Sequence, residues 1–171
     1  MNTKLLRLAA SGILAVATVA LAPAHLLPLQ PALAQDVDEE TNIRVYEQAS
    51  PAVVSIDAGE SNGSGSIISS DGLVLTNAHV LAGAPRNVSV ILASGQRVQA
   101  EVIAFGENGI DLAVLKIQGQ NNLPSIPLAP AGSVKVGQRA YAIGNPFGRF
   151  QGTFTVGIVS RIDQQRGLIQ T

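Results

Sequence analysis

From Val53 onward the chain is a series of short apolar runs separated by Gly, Ser, Asp and Asn, the spacing expected of strands rather than helices. Val53 to Ile56, Ser66 to Ile68 and Leu73 to Leu75 are β-prone. Asp71-Gly72, between the last two, predicts a tight hairpin turn with positive φ at both positions. Val88, Val90 and Leu92 alternate with polar neighbours and turn at Ser94-Gly95. Val98, Ala100, Val102 and Ala104 alternate again, with one face inward. Leu112 to Leu115 is unbroken, which predicts a strand covered on both faces. Pro124, Pro127 and Pro130 mark an irregular linker before further strands at Ala140 to Ile143, Thr153 to Val159 and Leu168-Ile169. Ser160 falls in that second group. Many short strands at this spacing indicate a sandwich or barrel, and a closed barrel from Val53 to Ile117 is favoured. Ahead of them, Gln35 to Glu40 reads as a flexible acidic lead-in. Thr41 to Gln48 reads as a brief helix, N-capped by Thr41 and stopped at Ser50-Pro51.

The first 34 residues have a different pattern. Lys4 and Arg7 precede an uncharged stretch from Leu8 to Ala22, and Ala32-Leu33-Ala34 is a small-x-small site. Basic, apolar and small segments in that order predict a secretory signal peptide over 1–34. The alternative is a retained anchor, since Leu5 to Ala22 just reaches the length that spans a bilayer.

Composition narrows the function. Lys and Arg number 11 against 12 Asp and Glu, a balance that argues against a nucleic-acid partner. Cysteine is absent, which removes disulfides, thiol nucleophiles and cysteine zinc sites. Aromatics are 4%, so the core must be Val, Ile, Leu and Ala. No phosphate-binding pattern extends Gly63-x-Gly65. Asn62-Gly63-Ser64 and Asn87-Val88-Ser89 match the glycosylation triplet only as short patterns do by chance.

His25 belongs to the signal segment, so the remaining chain holds one imidazole, His79. A single histidine cannot build a histidine-rich metal site, and no metal or cofactor is expected. Out of context, a lone histidine is more often structural than catalytic. His79, however, follows Leu73-Val74-Leu75 through the polar turn Thr76-Asn77-Ala78, where a rigid strand end can hold a base in place. Asp111 stands at the entrance to Leu112-Ala113-Val114-Leu115, where a carboxylate partly removed from water needs donors. Backbone amides could supply them. The functional reading is that Asp111 accepts a hydrogen bond from His79 Nδ1, leaving Nε2 free to take a proton.

Four segments occur in order: Gly63-Ser64-Gly65-Ser66-Ile67-Ile68, Asp71 through Val80, Asp111-Leu112-Ala113-Val114-Leu115-Lys116-Ile117, and Ala142-Ile143-Gly144-Asn145-Pro146-Phe147-Gly148. Together they resemble the exported HtrA/Deg family of trypsin-like serine endopeptidases, from about Val45 to Thr171. The resemblance implies an all-β chymotrypsin-like double β-barrel. The first barrel with its linker would occupy 53–130, after an amino-terminal lead-in and helix at 35–52. The start of the second barrel would occupy 131–171. It puts the general base on His79 and the orienting carboxylate on Asp111. It also implies ATP-independent degradation of misfolded exported proteins; the export signal places the protein in the periplasm first, with the thylakoid lumen or the cell exterior as alternatives. Trimerisation would run through about Ile43 to Ala52. The loop from Asp57 to Gly63 is short against the longest members, so regulation by a long loop there does not carry over.

The family's Gly-Asn-Ser-Gly-Gly nucleophile motif is not among the 171 residues. Ser64 and Ser66 lie near glycines without the strand–turn–helix setting of a nucleophile elbow, and Ser160 lacks it too. The expectation is that base and orienter are present while the nucleophilic serine and second-barrel partners are not. On its own the chain should then be inactive and poorly soluble. The competing readings are a non-catalytic exported barrel with a chaperone-like or partner-binding role, and a membrane-anchored structural barrel.

Overall fold

The computed structural model describes residues 37–145 and 152–171. The expected signal segment and most of the Asn145-Pro146-Phe147-Gly148 turn lie outside the described residues. No helix among the described residues is long and apolar enough to cross a membrane.

Helix α1 spans Val37–Ala49. It begins earlier than Thr41, and residues 37–40 of the expected flexible lead-in form its first turn. Asp38, Glu39 and Glu40 sit there, where negative charge complements the positive end of the helix dipole. The helix gives way to a 3-10 turn at Ser50–Ala52, with Pro51 in its first positions.

Six antiparallel strands then close a barrel: β1 (Val53–Asp57), β2 (Asn62–Ile67), β3 (Leu73–Thr76), β4 (Asn87–Ile91), β5 (Arg97–Phe105) and β6 (Ala113–Ile117). Their spatial order is β1-β2-β3-β6-β5-β4, and β4 pairs back to β1. The closed barrel over Val53 to Ile117 is therefore present. Its interior is aliphatic, built on Val54, Ile56, Ile67, Val74, Val90, Ala100, Leu115 and Ile117.

Local expectations differ in four places. The β2–β3 connection is five residues, Ile68 to Gly72, closed by Ile68 N–H donating to Leu73 O. Only Gly72 of the Asp71-Gly72 pair takes positive φ (96°). Strand β2 starts inside the Gly/Ser stretch, before Ser66. In β6, Ala113, Leu115 and Ile117 are buried while Val114 and Lys116 are half-buried, so one face is covered, not two. In β5 a bulge between Val102 and Ala104 breaks the alternation. It leaves Ala104 exposed and turns Ile103 and Phe105 outward.

Lys116 Nζ bonds the Asp71 carboxylate and carbonyl oxygens, each at 2.6 Å, locking β6 to the β2–β3 hairpin. That ammonium holds the Asp71 carboxyl down at about 2. Beyond the barrel, Leu123 N–H donates to Ser70 O and Ile126 N–H to Ile67 O, tying the proline-rich linker to the wall.

Two hairpins follow, where the resemblance puts the second barrel. Strands β7 (Arg139–Gly144) and β8 (Thr153–Ile158) form one, and β9 (Arg161–Asp163) and β10 (Leu168–Gln170) the other. Ser160 lies between strands, its Oγ donating to Gln170 O. Helix α1 packs on the first hairpin: Tyr46 meets Phe154 edge-on, and Phe154 stacks on Tyr141. Asp38 pairs with Arg139.

Candidate active site

The pairing of β3 with β6 brings the two singled-out residues together. The ladder runs from Leu73 opposite Lys116 to Thr76 opposite Ala113. Its next steps carry the turn after β3 alongside the residues before β6. Asn77 remains extended, and a 3-10 turn forms over Ala78–Leu81. Val80 and Leu81 are 5% and 3% exposed and pack into the core. Burying them leaves His79 at the surface, with 70% of its side chain exposed.

Asp111 is presented by a tight loop. Asn108 and Gly109 both take positive φ, and Gly106 N–H donates to Leu112 O. A Cβ on Gly106 would lie 2.6 Å from Ile110 O, so the close approach requires glycine. The Asp111 side chain is half exposed, not sunk at the start of an apolar strand. Nitrogen donors still converge on it, because loop and turn meet there. His79 N–H donates to Oδ1 at 2.9 Å, and His79 Nδ1 lies 2.7 Å from Oδ2. Asn77 Nδ2 donates to Oδ2 at 3.2 Å and to the Asp111 carbonyl at 3.0 Å.

These bonds, the one from the His79 ring foremost, hold the Asp111 carboxyl below the usual carboxylate range. It is a fixed negative charge at neutral pH. A ring with its proton on Nδ1 donates to that charge and keeps Nε2 as an acceptor. The arrangement can take a proton at Nε2 and stabilise the imidazolium that results, which is the general-base half of a nucleophilic mechanism.

His79 lines a cleft of about 480 Å³ between the barrel and the β7–β8 hairpin. Asn62, Gly63, Ser64, Asn77 and Val80 form one side; Ala142 to Asn145, Thr153 and Thr155 form the other. Ser64, rejected as a nucleophile from its sequence setting, is in this cleft. Its Oγ accepts the Asn145 N–H at 2.7 Å. Ser66 is half-buried in β2.

Sequence reasoning missed Asn77 as the second anchor of Asp111, and Ser55 and Ser64 as partners of Asn145. The one available signal was Asn77 itself, a polar side chain two residues ahead of a candidate base.

A profile of the trypsin-like peptidase domain matches residues 63–171. The mitochondrial serine protease HTRA2 of Bos taurus is 41% identical over 141 residues, which cover 74% of this chain and 30% of that protein. A probable periplasmic serine endoprotease of the DegP-like kind from Hahella chejuensis is 46% identical over 101 residues, 59% of this chain and 21% of that one. The crystal structure of Deg5 superposes with a TM-score of 0.62 at 35% identity, covering 75% of this chain and 66% of that one. The chain spans less than a third of the length of these two curated relatives.

Proposed function

Because this chain belongs to the trypsin-like peptidase family, and within it to the HtrA/Deg proteases, we propose that it supplies the base and orienting carboxylate of a serine endopeptidase acting on unfolded exported proteins. The observation that carries this reading is the 2.7 Å approach of His79 Nδ1 to Asp111 Oδ2 with the ring at the edge of an open cleft. His79 takes the proton from an attacking serine hydroxyl and returns it to the leaving amine. Asp111 holds the tautomer and offsets the charge. The attacking hydroxyl must come within hydrogen-bond reach of His79 Nε2, at the open edge of the cleft. The chemistry uses neither ATP nor a metal.

Export to the periplasm is supported by the basic, apolar and small order of residues 1–34 and by the description of the Hahella relative. Trimerisation through the amino-terminal segment is supported by Ile43 and Tyr46, 51% and 36% exposed on α1.

The test is hydrolysis of unfolded casein by a form of the protein that carries the nucleophile segment. Cleavage that persists in excess chelator and stops on treatment with a serine-directed phosphonate is expected. The 171-residue chain by itself should neither cleave casein nor take up the reagent. Chelator-sensitive cleavage overturns the reading, and no cleavage overturns it in favour of a binding barrel.

A further inference from the structure

The far end of β7 is held on the barrel by hydrogen bonds that the base and its carboxylate do not use. We infer that Ser64, Asn145 and Ser55 form a positioning clasp that fixes the width of the His79 cleft, an inference that rests on the peptidase reading. The β7–β8 ladder stops at Gly144 opposite Thr153, so the next amide needs an acceptor elsewhere. Asn145 N–H finds it in Ser64 Oγ on β2, at 2.7 Å. The Asn145 side chain donates through Nδ2 to Ser55 Oγ on β1, at 2.8 Å. Ser55 is 3% exposed and flanked by the buried Val54 and Ile56. A hydroxyl at that depth is costly when unpaired, so its bond to Asn145 satisfies the barrel and anchors the hairpin together.

Two glycines set how close the walls come. A Cβ on Gly144 would lie 3.1 Å from Ser64 Oγ, and one on Gly63 would lie 2.5 Å from a Val80 methyl. Val80 directly follows His79. The Gly63-Ser64 step is therefore pressed between the turn that carries the base and the end of β7. Thr76 Oγ1 donates to Ser64 O at 2.8 Å, one residue before the Asn77 that anchors Asp111. One stretch of β2 thus braces both sides of the cleft. Loosening the Ser64 and Ser55 bonds to Asn145 lets the β7 wall shift while the His79–Asp111 contact stays formed.

The test combines amide hydrogen exchange with turnover of unfolded casein in Ser64→Ala, and in Ser55→Ala as a second variant. In Ser64→Ala the Asn145 amide should exchange at least tenfold faster, while the Val74 and Leu115 amides of the barrel keep their wild-type protection. The kcat should fall about ten- to a hundredfold with KM within about threefold, because an ångström of misplacement acts on the approach to the reacting geometry. Ser55→Ala should move both readouts in the same direction. Unchanged Asn145 exchange in Ser64→Ala overturns the clasp. Faster exchange with unaltered kcat overturns its positioning role. Turnover is read in the form that carries the nucleophile segment; a wild-type protein of that form without turnover overturns the peptidase reading, and the exchange result then decides the clasp by itself.

Discussion

Replacing His79 by alanine should lower kcat on unfolded casein by about ten-thousand-fold or more, in a form of the protein that carries the nucleophile segment. The size follows from chemistry. A serine hydroxyl is a poor nucleophile until a base takes its proton, and His79 is the only histidine of the barrel and its hairpins. Asp111→Asn should come close to the same loss, about ten-thousand-fold, by a different route. The carboxylate accepts from the His79 amide, the His79 ring and Asn77. An amide in its place has one acceptor oxygen and presents N–H groups to donors, so the ring turns or takes its proton on the wrong nitrogen. Circular dichroism of both variants should match wild type, since both side chains are half exposed or more. Turnover within tenfold of wild type in either variant removes that residue from the site.

Leu115→Ala should destabilise the protein by about 2–5 kcal/mol, with Tm lower by about 10 °C or more. Leu115 is 0% exposed and lies opposite Val74, itself 0% exposed, at the centre of the barrel. Truncating it removes apolar burial and leaves a cavity that closed β-strands cannot collapse to fill. Val114→Ala, one residue away on the same strand, should cost under about 1 kcal/mol, because Val114 is half-buried on the outer face. Urea unfolding of the pair separates a strand covered on one face from one covered on two. Equal losses would contradict the observed alternation.

Much of this arrangement was readable from residues alone, because apolar runs and turn residues at 8–12-residue spacing leave few architectures besides a barrel. His79 and Asp111 stood out only weakly, at the ends of apolar runs, and it took the family resemblance to pair them; the fold places His79 Nδ1 2.7 Å from Asp111 Oδ2. The one-sided burial of β6 was hidden, since Val114 is as apolar as its buried neighbours and the outer face carries no polar mark until Lys116. The bulge in β5 was hidden for a related reason: Ile103 and Phe105 are apolar yet face outward. The acidic start of α1 looked like solvated chain, because Asp and Glu serve equally in tails and in first helical turns. Ser55 and Ser64 had no local signal at all. Their partner Asn145 lies 90 and 81 residues away, and only the folded chain brings them together.

The hold of Asp111 on the base is read most directly in the nitrogen-15 shifts of the His79 ring, taken at a pH where the imidazole is uncharged. The wild-type protein should show the proton on Nδ1 and a bare Nε2. In Asp111→Ala the proton should move largely to Nε2, the form a free imidazole side chain prefers. The same ring-proton position in both proteins would contradict an Asp111 that steers His79.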